Sequence, residues 1–199
     1  GITAAQALRE AGLAKGQRVL VVGASGGVGA FAVLIAKHAG AHVTAVASTD
    51  GQAFLAGLAP DRAIDYRKED FAARVKEITH GEGCHVVYDG VGKATFPASL
   101  DCLRPFGYFV SFGWASGPIP SFDLMLLIEK GSLFATCPGL TAHLAKRGDV
   151  LAMSRDLFDV VGSGAVKINM HAGLPLAEAA EAHRRLEARQ TTGATILLP

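Results

Sequence analysis

Apolar positions along this chain switch repeatedly between two periods. Residues 18–22 (RVLVV), 42–47 (HVTAVA) and 85–89 (HVVYD) are short, nearly continuous apolar runs, the pattern of parallel strands covered on both faces. Further strands are predicted at 63–66, 108–112, 132–136, 167–170 and 195–198. Between them the spacing becomes helical over 28–38, 52–58, 71–79, 94–103, 123–129, 149–161 and 177–188. A leading helix over 3–13 ends near Gly12 and Gly16, where glycine can take the left-handed conformation that closes a helix. Strands alternating with helices predict a doubly wound α/β fold, a parallel sheet with right-handed crossovers and helices on both faces. Three stretches follow: the leading helix at 1–15, a sheet-bearing unit at 16–165, and a strand–helix–strand segment at 166–199.

Composition narrows the partners. Of the 199 residues 50% are hydrophobic, enough to bury one substantial core. The 19 Lys and Arg nearly cancel the 18 Asp and Glu, so no net positive field holds nucleic acid or an anionic membrane. No stretch reaches the roughly 18 apolar residues of a membrane span, and no basic segment precedes an apolar run at the start, so a cytoplasmic protein is expected. Cys84, Cys102 and Cys137 are odd in number and widely spaced, which suits reduced thiols. No His or Cys cluster has zinc spacing, and no metal is expected. The chain starts at Gly1 without Met, as a trimmed chain or a fragment of a longer one would.

The candidate chemistry lies at the end of the first strand. In Ala24-Ser25-Gly26-Gly27-Val28-Gly29, small residues occupy the first, third and sixth places of the dinucleotide-binding fingerprint, between a predicted strand and a predicted helix. Gly26 lets the backbone approach a pyrophosphate, Gly29 lets the helix pack on the strand, and the opening amides point at the phosphates. The same letters spell a G-x-S-x-G nucleophile elbow around Ser25, for which Asp89 and His143, His171 or His183 could serve as acid and base. Gly29, and the position of the motif on the first sheet strand, favour the dinucleotide loop. Where the second strand ends, Ser48 and Thr49 stand in place of the acid that would bind a ribose 2′-hydroxyl; hydroxyls suit a 2′-phosphate, and their plain alternative is an ordinary polar turn with Asp50 close by.

Several longer segments carry a resemblance: GASGGVG, IDYRKEDF, VVYDGVG, LDCLRPFGYFVSFG, GSLFATCP and AHRRLEARQTTGATILLP. In this order the chain resembles the quinone oxidoreductase branch of the medium-chain dehydrogenase/reductase superfamily. The resemblance implies a Rossmann domain at 16–165 and a segment at 166–199 that packs on a GroES-like substrate domain, which has no counterpart in these residues. It implies NADPH as cofactor, with Gly26, Gly27 and Val28 on the pyrophosphate, and Ser48, Thr49 and Tyr66 on the adenosine ribose and its 2′-phosphate. Gly90, Val91, Phe112 and Gly113 would flank the nicotinamide, and Arg189 would lie near a cofactor phosphate, its plain alternative being a solvated charge at a helix end. A lysine common in the family is replaced by Gln52.

The activity so implied is hydride transfer from NADPH to a quinone or an α,β-unsaturated carbonyl compound, without metal and with no residue here nominated as general acid. The isolated chain is then expected to bind cofactor and turn over poorly. An enoyl reductase module of a lipid or polyketide assembly line, and a non-catalytic dinucleotide sensor, are the alternatives. The strand at 132–136 resembles the edge through which such domains pair into homodimers, unless the Pro138 loop covers it.

Overall fold

A computed structural model describes the chain except Asn169, Arg189 and Gly193, with the backbone alone described for Glu10 and His143. Helix α1 (Ile2–Glu10) leads into β1 (Arg18–Val22), α2 (Gly27–His38), β2 (His42–Ala47), a short 3-10 turn, α3 (Gln52–Leu58) and β3 (Arg62–Asp65). Next come α4 (Phe71–Ile78), β4 (Cys84–Asp89), α5 (Phe96–Asp101), β5 (Leu103–Ser111), α6 (Met125–Glu129) and β6 (Phe134–Thr136). Helices α7 (Leu140–His143) and α8 (Arg147–Gly162) precede β7 (Met170–Pro175), α9 (Ala179–Glu187) and β8 (Ala194–Leu198).

The main sheet has six parallel strands in the order β3-β2-β1-β4-β5-β6. This is the doubly wound order, whose strand sequence reverses between β1 and β4 and opens a crevice there. The continuous apolar runs have the predicted cause: each face of the sheet is covered. Val19 and Val21 of β1 join α1, α2 and α3 in one core, while Leu20 and Val22 join α4 and α5 in the other. The leading helix is tied to the sheet by the Tyr88 hydroxyl, which donates to the Leu8 carbonyl at 3.3 Å inside the protein.

Differences from the pattern-based expectation have local reasons. The helix expected over 94–103 is shorter, and β5 begins at Leu103, paired with Cys84, rather than at 108. Pro105 and Gly107 read as strand breakers; here they belong to an irregular start in which Phe106 takes φ 60° and its N–H is satisfied by the Gly131 carbonyl. The strand expected at 167–170 lies at Met170–Pro175 instead, where Gly173 and Pro175 mask it and pairing with β8 specifies it. Strands β7 and β8 form a separate two-stranded parallel sheet with α9 as the crossover.

Candidate functional site

The carboxyl ends of β1, β2, β4 and β5 meet around three loops. The first follows β1. Gly23 takes φ +81°, and its N–H and that of Ala24 both donate to the Val46 carbonyl of β2. Gly26 then caps α2 in an extended conformation, with no side chain on the opening amides and no acid in the first turn. An α-helix leaves its first N–H groups unpaired and a partial positive charge at that end; Gly26 N–H turns back to the Gly23 carbonyl at 3.2 Å, and the amides of Gly27 and Val28, beside the bare Cα atoms of exposed Gly26 and Gly27, present donors to an anion. Gly29 is forced: a Cβ there would run into the Gly23 carbonyl oxygen and meet Ala24 Cα at 2.9 Å. The cradle therefore fits a diphosphate.

The serine-elbow reading does not survive this geometry. Ser25 is not among the residues with left-handed φ, the strain expected of an elbow nucleophile. Its hydroxyl lies beside Gly51, where a Cβ would sit 3.0 Å from Ser25 Oγ. Asp89 is engaged by its own loop rather than by a histidine.

At the tip of β2, Ser48 precedes the 3-10 turn Thr49–Gly51. The Thr49 hydroxyl donates to Asp65 Oδ2 at 2.7 Å, and Arg67 N–H donates to Asp65 Oδ1 at 3.0 Å. The Thr49 hydrogen bond, against the cost of burial, holds the Asp65 carboxyl below its ordinary pKa. Gln52 turns inward and donates to the carbonyls of Ala47 and Ile64 at 3.2 and 3.0 Å, bridging the ends of β2 and β3. Tyr66 is half-exposed directly after β3. Positive charge comes from residues the sequence reading passed over: Arg67, 3.9 Å from Asp50, and Lys68, 3.6 Å from Asp65. Their signal was available in the IDYRKEDF segment itself, directly after the tyrosine.

The second and third loops follow β4 and β5 and are interlocked. A Cβ on Gly90 would meet the Phe112 ring at 2.7 Å, one on Gly113 would meet the Gly90 carbonyl oxygen at 2.9 Å, and one on Gly23 would meet the Val91 side chain at 3.2 Å. Gly90, Val91, Phe112 and Gly113 are thus brought together against the glycine turn. Arg189 lies outside the described residues. Asp89, named from the sequence only as the acid of the serine reading, instead organises the second loop from inside the protein, a role sequence reasoning missed.

No group of three or more His, Cys, Asp or Glu among the described residues could hold a metal ion. Burial pushes the Cys84 thiol up to about 12 and raises that of Cys102 as well, while Cys137 is exposed. Neither buried thiol is a ready thiolate ligand.

The zinc-binding dehydrogenase family model matches residues 27–146. A quinone oxidoreductase from Pseudomonas aeruginosa is 43% identical over 201 residues, which is 100% of this chain and 62% of the relative. A 2-haloacrylate reductase from a Burkholderia species is 40% identical over 100% of this chain and 61% of its own length. The crystal structure of Escherichia coli quinone oxidoreductase complexed with NADPH superposes with a TM-score of 0.93 at 36% identity, covering 100% of this chain and 62% of that one. The chain thus spans about three fifths of the length of the relatives it matches. With a family model that covers over half of its residues and a sheet of this order, the chain belongs to the zinc-binding dehydrogenase family, as a cofactor-binding part within its quinone oxidoreductase branch.

Proposed function

We propose that this chain binds NADPH across the carboxyl ends of its parallel sheet and serves an oxidoreductase that reduces a quinone or an α,β-unsaturated carbonyl compound. The observation that carries this is the contact between the Gly23 turn and Val91 at the point where strand order reverses, the place where doubly wound folds take dinucleotides. Gly26, Gly27 and Val28 receive the pyrophosphate, the amides of Gly27 and Val28 as donors and Gly26, whose N–H is held by the Gly23 carbonyl, as the side-chain-free approach. Ser48, Thr49 and Tyr66 face the adenosine ribose, and Arg67 and Lys68 supply the charge for a 2′-phosphate that Gln52, turned inward, does not. Because Thr49 gives its proton to Asp65, its hydroxyl oxygen can only accept there. Gly90, Val91, Phe112 and Gly113 form the wall for the nicotinamide, whose chemistry when bound is delivery of a hydride.

The unsaturated-carbonyl arm draws support from the resemblance to a 2-haloacrylate reductase, the quinone arm from the quinone oxidoreductases. The segment 166–199, whose strands β7 and β8 form a sheet separate from the main one, supplies the face for a substrate domain. Among the described residues strand β6 has β5 as its neighbour on one side only, and its outer edge is the surface through which a second copy pairs.

Titration of the purified chain with NADPH and with NADH, followed by cofactor fluorescence, tests the reading. Saturable NADPH binding, several-fold tighter than NADH, is the expected result. Equal binding of both removes the 2′-phosphate assignment, and binding of neither removes the cofactor assignment.

A further inference from the structure

Asp89 sits at the last position of β4 and is 0% exposed. A carboxylate survives burial only where donors fill its lone pairs. Here they do, two on each oxygen. Oδ1 accepts the N–H of Val91 at 2.7 Å and of Gly92 at 3.1 Å; Oδ2 accepts the hydroxyls of Thr95 at 2.7 Å and Ser99 at 2.6 Å.

The two amides matter because of what they carry. Val91 is the residue whose side chain reaches Gly23 of the phosphate turn, and Gly92 holds φ +88° with the Gly117 carbonyl 2.6 Å from where a Cβ would be. From the other side the Val91 carbonyl accepts Ser116 N–H at 2.8 Å and Ser116 Oγ at 2.7 Å. The backbone at 90–92 is therefore clamped between a buried carboxylate and the loop after β5, with no slack to choose another height. The hydroxyls of Thr95 and Ser99 in turn fix the carboxylate, since α5 carries Ser99 and starts one residue after Thr95.

We infer that Asp89, with Thr95 and Ser99, is a positioning group that sets Gly90 and Val91 against the nicotinamide half of the bound dinucleotide. The inference rests on the cofactor reading given above. It differs from a plain anchor for α5 in where damage falls: the nicotinamide half loses its wall while the adenosine half, held by β2 and β3, does not.

Calorimetric titration of the chain with NADPH and with 2′,5′-ADP, which carries the adenosine half alone, separates the two. Thr95→Val combined with Ser99→Ala removes both hydroxyl donors but leaves the backbone bonds; NADPH binding is expected to weaken about ten-fold while 2′,5′-ADP stays within about two-fold. Thr95→Ser, which keeps a hydroxyl, is expected to bind both ligands as the wild type does. Asp89→Asn has the same expected signature if it folds, and where neither it nor the double variant folds, Ser99 being buried, Thr95→Val alone at its half-buried position carries the test in the same direction. Equal weakening of both ligands, or unchanged NADPH binding, overturns the inference. A wild-type chain that binds neither ligand overturns the cofactor reading, and this inference with it.

Discussion

A methyl group at position 29 has nowhere to go. The atoms it would meet are the Gly23 carbonyl and Ala24 Cα, backbone that cannot swing aside as a side chain could. Gly29→Ala is expected to cost about 3 kcal/mol, the upper end for overpacking, and a lowered urea midpoint with an unchanged slope would register it. This residue was legible from the sequence because its role is steric and the fingerprint encodes it. Thr49 was legible only in part: a hydroxyl at the tip of β2 is visible in the letters, but not that Asp65, sixteen positions on, takes its proton. Asp89 was visible only as the acid of the rejected serine reading, since an acid ending an apolar strand looks the same whether it faces a ligand or caps its own loop.

Among the elements, β4 and β1 are joined at their amino ends by an arrangement that responds to pH. His85 Nδ1 accepts the Arg18 N–H at 3.1 Å, so only an imidazole unprotonated at that nitrogen fits, and Arg18 is fixed further by the Gly83 carbonyl at 2.9 Å and Glu82 at 2.8 Å. Burial first, then the charges of Arg104 and Arg18, lower the His85 pKa, with Glu82 opposing them. The unfolded chain therefore takes up this proton before the folded one as pH falls. The stability His85 contributes is complete above its unfolded pKa of about 6.5 and is lost as pH drops from there through the folded value. Urea unfolding followed from about pH 7.5 to about pH 5 is expected to show a falling midpoint, with a shallower fall in His85→Gln. The strands β1, β2 and β4 were readable because a parallel strand buried on both faces is apolar throughout. The early start of β5 and the position of β7 were not, since Pro105, Gly107, Gly173 and Pro175 carry the signals of turns, and only pairing with a distant strand overrides them.

At the scale of the whole molecule, β6 leaves one edge of the main sheet with half-exposed Phe134 stacked on Tyr108, ring centres 4.7 Å apart. If a second copy pairs there, light scattering shows a dimer whose dissociation constant rises on Phe134→Lys, because a lysine on an edge strand opposes pairing. A wild-type chain that stays monomeric at high concentration counts against the pairing. The strand order has a consequence in time as well as in space. Strands β1, β2 and β3 are neighbours both along the chain and in the sheet, so that half assembles from local contacts. The connection from β3 to β4, by contrast, must pass back over β2 and β1 to place β4 on the far side of β1, aligning Val19 with Val86, and long-range closures of this kind are slow. In a chain made from its amino end, the glycine turn after β1 is therefore expected to form before its opposite wall exists, and the crevice to appear only when the second half docks.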